Sequence, residues 1–349
     1  MRSFLVVLIT LGVIRTKSHA DPVIIDLGTL GGPTSSAFAL NNSGQVVGES
    51  TTGGGGLQAF LYTNSMLNLG LGDDSTAAAI TGSGHIAGTL TLGDFSQRAF
   101  LSQSGSTTIL GNLIPGGSSL GYGVNNAATV VGTAETATGN HAFRWTSAGG
   151  MEDLGTLGGP VSTATAINDA GKIVGFASDA TGTPRPFLYD AGLMLPLFVD
   201  QRGSAYAIND ANQIVGERNA VAFLYSGGVT QSLGTLGGPF STAYGINNGG
   251  QVVGTSGDQA FIWDSTAGMR SLNSLSAGSG WNLTTAYGIN DQGWVVGVGI
   301  NPSGQERSFL LQGLGSGSSS VPEPSSLLLL SLVAGGGACV AWKRRKKSA

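Results

Sequence analysis

Few residues in this chain are equipped for acid–base or covalent chemistry, and their spacing argues against an assembled active site. Between Asp21 and Ser320 there are two histidines, His85 and His141. They occupy different positions of the repeat described below, so the pattern does not support a two-histidine metal site. The single cysteine, Cys339, lies in an apolar stretch near the C-terminus, which leaves the main body without a thiol nucleophile or a disulfide. No Ser/His/Asp set can be named. GTLGGP, at 28–33, 155–160 and 234–239, is glycine-rich but lacks the GK[ST] ending of a phosphate loop and reads as a strand-exit turn.

Carboxylates are the remaining candidates. Asp169, Asp210 and Asp291 each follow a repeated asparagine in a tight turn, and Asn42, Asn126 and Asn248 stand in their place elsewhere. Free exchange of acid for amide suits turn formation. It does not suit a glycosidase, which needs two carboxylates about 5–10 Å apart. The acidic composition leaves calcium at these turns open, although the multi-carboxylate spacing of an EF-type loop is absent and a plain turn is the expectation. Otherwise no cofactor is expected, and the expectation is a protein that is not an enzyme.

The element that would position all these residues is an internal repeat. One block recurs as SAFALNNSGQVVG ending at Gly48, TATAINDAGKIVG at Gly175, SAYAINDANQIVG at Gly216, TAYGINNGGQVVG at Gly254 and TAYGINDQGWVVG at Gly297. Two divergent copies, TAAAITGSGHIAG at Gly88 and LGYGVNNAATVVG at Gly132, bring the number to seven, at steps of 38 to 44 residues. The repeat asparagines Asn41, Asn125, Asn168, Asn209, Asn247 and Asn290 are structural turn residues in this reading. Their side chains cap the backbone, while Gly171 and its counterparts supply the positive φ a short hairpin needs. Asn212 is a workable substitute for that glycine and Ala128 a poor one. A second block centres on Phe60, Phe100, Phe143, Phe187, Phe223, Phe261 and Phe309, and a third, DLGTLGGP at 26–33 and 153–160 and SLGTLGGP at 232–239, precedes some copies. Together these blocks resemble the HAF repeat of extracellular proteins, named for the triplet seen here at His141-Ala142-Phe143. The resemblance covers essentially the whole region between the termini. Most copies lack the histidine, so it carries no shared chemistry.

Each repeat reads as four short strands. TATAIN alternates with a period of two, Asn-Asp-x-Gly turns the chain, KIVG returns, PFLY makes a third strand and the MxDLGTL stretch a fourth. No segment between the two terminal stretches has helical periodicity. Four strands in about 41 residues is the size of a propeller blade, so the expected fold is all-β: a seven-bladed β-propeller over residues 21–313. The region begins with a fourth-strand block, VIIDLGTL, and stops at a third-strand block, SFLLQG, so its first strand can complete the last blade and remove the free edges. An open β-solenoid is the alternative. The seven phenylalanines are expected to pack blade against blade rather than stack on carbohydrate. The loops between VVG and phenylalanine differ in length, the separations from the glycine to the phenylalanine being 12, 12, 11, 12, 7, 7 and 12. They lie on one face of such a disc and are the expected place of contact with a glycan or an envelope protein.

The termini read as addresses. Arg2, the apolar run Phe4 to Ile14 and Ser18-His19-Ala20 form an expected signal peptide over residues 1–20, cut by signal peptidase before Asp21. After a Gly/Ser linker at 314–320 come Val321-Pro322-Glu323-Pro324, an apolar stretch from Ser325 to Trp342, and the basic cluster Lys343, Arg344, Arg345, Lys346 and Lys347. About 17 apolar or small residues approach the length of a transmembrane helix, and basic residues after it stay cytoplasmic. This order over 321–349 resembles the PEP-CTERM sorting signal. The resemblance implies recognition by an exosortase near Pro322-Glu323-Pro324, temporary anchoring in the inner membrane, and transfer to the envelope, cell surface or extracellular matrix.

Charge narrows the partners. Residues 21–320 hold 8 Lys plus Arg against 19 Asp plus Glu, a net charge of −11, which repels nucleic acid and anionic lipid. The expected function is a non-catalytic surface or matrix module that binds polysaccharide or envelope protein. The alternatives are a propeller-type polysaccharide hydrolase or lyase and a purely structural matrix protein.

Overall fold

The computed structural model describes residues 22–314. The expected signal peptide, the sorting residues 321–324, the basic cluster and Cys339 lie outside the described residues.

Those residues form seven four-stranded antiparallel sheets, each a meander of consecutive strands, except that one sheet takes its fourth strand from the other end of the chain. This is a seven-bladed β-propeller. The blades are numbered by their innermost strands: Gly31–Leu40, Thr76–Ile80, Ser119–Val124, Gly158–Ile167, Gly203–Ile208, Ser241–Ile246 and Asn282–Ile289. Blade 7 is completed by the first strand, Val23–Asp26, which pairs antiparallel with the last, Glu306–Gln312, in the register Val23↔Gln312 to Asp26↔Phe309. Ile24 and Ile25 from this latch pack into the two cores that flank blade 7.

The cores lie between blades. All seven repeat phenylalanines are at most 1 % exposed, and each packs against apolar residues of the preceding blade. Phe187 meets Val131 and Ala142 of blade 3, and Phe60 meets Val296 and Leu310 of blade 7. Each phenylalanine also sits directly across from the glycine of VVG, as Phe60 does from Gly48 and Phe187 from Gly175. There a Cβ on Gly48 would meet the Ser36 carbonyl oxygen at 1.9 Å and one on Gly175 the Thr163 carbonyl at 1.9 Å. Glycine is required because a carbonyl of the innermost strand occupies the space a Cβ would need.

Buried serines staple neighbouring blades. Ser162 donates to the Gly155 carbonyl at 2.5 Å and accepts from the Ala142 amide at 2.8 Å. Ser35, Ser75, Ser119 and Ser241 repeat the arrangement.

Two local expectations are corrected. Leu272–Leu275 forms one turn of α-helix in blade 6 where no helix was expected. GTLGGP is not simply a strand exit, since in blades 1 and 4 its second glycine begins a ten-residue innermost strand, with Gly31 facing Thr52 and Gly158 facing Asp179. The third copy behaves differently, and the innermost strand of blade 6 starts only at Ser241. Its neighbour Val252–Ser256 is two residues shorter than the corresponding strands Val46–Thr52 and Ile173–Asp179 of blades 1 and 4, so the extension has no partner.

Candidate functional site

The innermost strands surround a central channel, and a bulge in each of them decides what lines it. In every blade the pairing skips one residue between the two that precede the final aliphatic: Phe38, Ala78, Tyr122, Thr165, Tyr206, Tyr244 and Tyr287. A bulge turns the skipped residue out of the normal alternation, and these seven side chains line the channel together. Five of them are aromatic. Phe38 and Tyr287 meet edge to face at 5.3 Å between centroids, Tyr287 and Tyr244 lie at 5.3 Å, and Tyr244 and Tyr206 at 5.5 Å, which makes a continuous arc over blades 5, 6, 7 and 1. Partial burial pushes the phenols of Tyr122, Tyr206, Tyr244 and Tyr287 above their ordinary value. This vestibule, about 290 Å³, lies towards the face that carries the loops between VVG and phenylalanine. Reading TATAIN as plain alternation misses the bulge. The recurrence of Phe or Tyr at one otherwise small or polar position was the signal available.

Beyond the vestibule, Leu40, Ile80, Val124, Ile167, Ile208, Ile246 and Ile289 form an aliphatic waist shared with a second cavity of about 390 Å³ on the opposite face. That funnel is built by the repeat turns. Each repeat asparagine is buried, and its Oδ1 accepts the backbone N–H four residues on, at 2.9–3.0 Å, as Asn168 does from Lys172 and Asn209 from Gln213. The turn glycine Gly171 has φ 79°, and Asn212 and Ala128, which replace that glycine, both have φ 59°.

The same asparagines also join the blades. The Nδ2 of Asn41 donates to the Thr81 carbonyl at 3.0 Å, Asn125 to Asn168 at 3.1 Å, Asn168 to Asn209 at 3.2 Å, Asn209 to Asn247 at 3.0 Å, Asn247 to Asn290 at 2.9 Å and Asn290 to Asn41 at 3.2 Å. Capping alone would accept aspartate or serine, whereas this second bond needs a donor as well; aspartate has none, and the amide carries acceptor and donor on separate atoms of a side chain long enough to span both partners. Thr81 holds its turn by accepting the His85 N–H at 3.0 Å but cannot reach across. The ring therefore has six links out of seven.

An outer circle at the funnel mouth contains Asp169, Asp210 and Asp291 together with Asn42, Asn126 and Asn248. Both oxygens of each carboxylate already accept hydrogen bonds from the adjoining blade. Asp169 accepts the Asn126 backbone N–H at 2.9 Å and its Nδ2 at 2.7 Å; Asp210 accepts the Asp169 N–H at 3.2 Å and the Asn248 amide at 3.1 Å; Asp291 accepts the Asn248 N–H and the Asn42 amide at 2.9 and 2.8 Å. The structure thus gathers three acids that sequence reasoning treated as separate turns, and it uses them as stitches. Among the described residues no three His, Cys, Asp or Glu side chains are placed to hold a metal ion. The two histidines stay apart: His85 touches Ser83 at 3.2 Å, and His141 pairs with Asp153 at 2.9 Å.

Closed ring, aromatic vestibule and amide funnel define a β-propeller whose axis, rather than any one blade, is its distinctive surface. Residues 320–346 match the PEP-CTERM protein-sorting motif, which implies processing by an exosortase and an exported, envelope-associated protein. Compared by sequence with curated proteins, the chain matches none. Among solved structures it is similar to a Mycobacterium tuberculosis puromycin-hydrolyzing peptidase, with a TM-score of 0.54, 13% identity, and coverage of 85% of this chain and 56% of that one. It is also similar to the β-propeller domain of the Trilobed protease from Pyrococcus furiosus, described as having an open velcro topology, with a TM-score of 0.53, 12% identity, and coverage of 84% and 98%. A third is the extracellular domain of a putative one component system from B. thetaiotaomicron, with a TM-score of 0.51, 9% identity, and coverage of 84% and 40%. The chain thus spans about half the length of two of these, and at such identities the likeness concerns the fold alone. Among the described residues no helix is long and apolar enough to cross a membrane.

Proposed function

We propose that this chain is a non-catalytic recognition module of the cell surface or its polymer matrix, which holds neutral polysaccharide at the aromatic vestibule. The observation that carries the reading is the bulge repeated in all seven blades, which spends a backbone irregularity on presenting Phe38, Tyr122, Tyr206, Tyr244 and Tyr287 to the channel. Aromatic faces pack against the C–H faces of sugar rings, and phenol hydroxyls bond to their hydroxyls. The net charge of −11 turns anionic polymers away. On this reading the repeats are those of HAF-type extracellular proteins, residues 1–20 are removed by signal peptidase, and an apolar helix in the tail holds the chain in the inner membrane until exosortase acts. An envelope protein is the other partner considered. The test is co-sedimentation of the full-length chain, detergent-solubilised, with insoluble neutral glucans, mannans and galactans. Retention by at least one polymer, weakened about tenfold or more in Tyr244→Ala/Tyr287→Ala, supports the proposal, and no retention by any of them defeats it.

The convergence of Asp169, Asp210 and Asp291 at the funnel favours one second reading, a polysaccharide hydrolase. Release of reducing sugar that disappears in Asp210→Asn would support it. Their engagement in cross-blade hydrogen bonds speaks for the structural role.

A further inference from the structure

The vestibule is uneven: blades 2 and 4 lack the aromatic ring and carry Ala78 and Thr165 in its place, Ala78 being the smaller side chain. Blade 2 carries Ala78 where blades 1, 3, 5, 6 and 7 carry Phe38, Tyr122, Tyr206, Tyr244 and Tyr287. The missing ring opens a notch of about 310 Å³ between Phe38 and Tyr122, lined also by Thr76, Asp74 and Gln97. Its size is near the lower end of small-molecule sites and enough for one sugar ring. Apolar walls with a few polar groups at the rim are the usual construction of such sites. Among the described residues neither the Asp74 carboxylate nor the Gln97 amide has a side-chain hydrogen-bond partner, and both residues are exposed. Asp74 holds a left-handed φ of 58° at the entry to blade 2. Thr76, by contrast, is committed to Glu49 at 2.6 Å, which brings a second carboxylate near the rim.

We infer that this notch is a binding site for a single neutral hexose unit, seated between Phe38 and Tyr122, with hydroxyls donating to Asp74 and bonding to Gln97. Asp74 and Glu49 exclude uronic acids and phosphorylated sugars by like-charge repulsion. The inference rests on the polysaccharide reading above and gives it a specific subsite. It places the site in the most divergent repeat, the copy that also lacks the turn asparagine.

The test uses saturation-transfer NMR on the full-length chain in detergent with methyl glucoside, methyl galactoside, methyl mannoside and methyl glucuronide. A signal from at least one neutral hexoside and none from the glucuronide is expected. Ala78→Tyr, which gives blade 2 the residue four other blades already accommodate, should weaken binding at least tenfold with an unchanged melting temperature. Ala78→Ser should retain binding, and Gln97→Ala should weaken it severalfold. Neutral hexoside binding that survives Ala78→Tyr, or no hexoside binding at all, overturns the inference. The two proposals fail separately: polymer retention indifferent to Ala78→Tyr removes the notch alone, whereas hexoside binding lost in Ala78→Tyr without polymer retention removes the polysaccharide reading alone.

Discussion

The side-chain amide of Asn290 donates to the backbone carbonyl of Asn41 at 3.2 Å, joining residues 249 apart and linking the last blade to the first. Near it the Asp291 N–H donates to Asn42 Oδ1 at 2.9 Å. The ring is therefore closed twice, by the outer β-latch and by side chains at the axis. Removing the amide leaves a buried carbonyl and a turn unsatisfied, so Asn290→Ala should destabilise the protein by about 1–3 kcal/mol. Thr81→Asn restores the missing seventh link and should stabilise it by about 1 kcal/mol, a rise of about 2 °C in melting temperature. Thermal melts of both variants measure this, and equal melting temperatures for Thr81→Asn and wild type would show that the ring has no energetic role.

Glycine at the end of VVG is a steric demand. Gly175→Ala places a methyl group 1.9 Å from the Thr163 carbonyl oxygen, so the bulged strand or its partner must shift. The expected loss is about 3 kcal/mol or more. Denaturant unfolding reads it, with Gly182→Ala as a comparison in open space, although at φ 81° that glycine carries a backbone penalty of its own.

The latch strand contributes through Ile24 and Ile25, which pair with Leu311 and Leu310. Replacing both by aspartate should cost about 3 kcal/mol of burial and expose the edge of Glu306–Gln312. Size-exclusion chromatography is expected to show oligomers or aggregate, and a monomeric, equally stable variant would contradict the closure described here.

The vestibule phenols give an alkaline signature. Because burial raises the pKa of Tyr122, Tyr206, Tyr244 and Tyr287 in the folded state, the folded protein binds more protons than the unfolded chain around pH 10. Their contribution to stability is complete below about pH 10 and is lost as pH rises through the folded values. Ultraviolet titration should show a late-ionising class of tyrosines that is reduced in Tyr206→Phe/Tyr244→Phe.

Asp179 gives the acid counterpart. The Thr181 hydroxyl at 2.6 Å, followed by the Arg185 guanidinium at 2.8 Å, holds its carboxyl well below the usual carboxylate range. A depressed folded value stabilises above the unfolded pKa of about 4 and loses that effect as pH falls further. The stability gap between wild type and Asp179→Asn should therefore be widest above pH 4 and narrow towards pH 2, as followed by urea unfolding across that range.

The number of repeats, their four-strand composition and a first strand able to complete the last blade were legible in the sequence; closure into a ring rather than an open solenoid was decided by the structure. The legible features follow from spacing: seven VVG and phenylalanine blocks at near-constant steps, and a fourth-strand block placed ahead of the first complete copy. Periodic burial and chain connectivity are local properties that one chain displays openly. Tertiary structure alone decided what faces the axis. A single bulge before Leu40 and its six counterparts reverses the side on which Phe38 or Tyr244 emerges, and a period-two pattern cannot reveal a skipped partner. The repeat asparagines show the same limit. Their capping role is legible because its partners lie four residues away, whereas the bond from Asn290 to Asn41 depends on two turns that meet only when the circle closes.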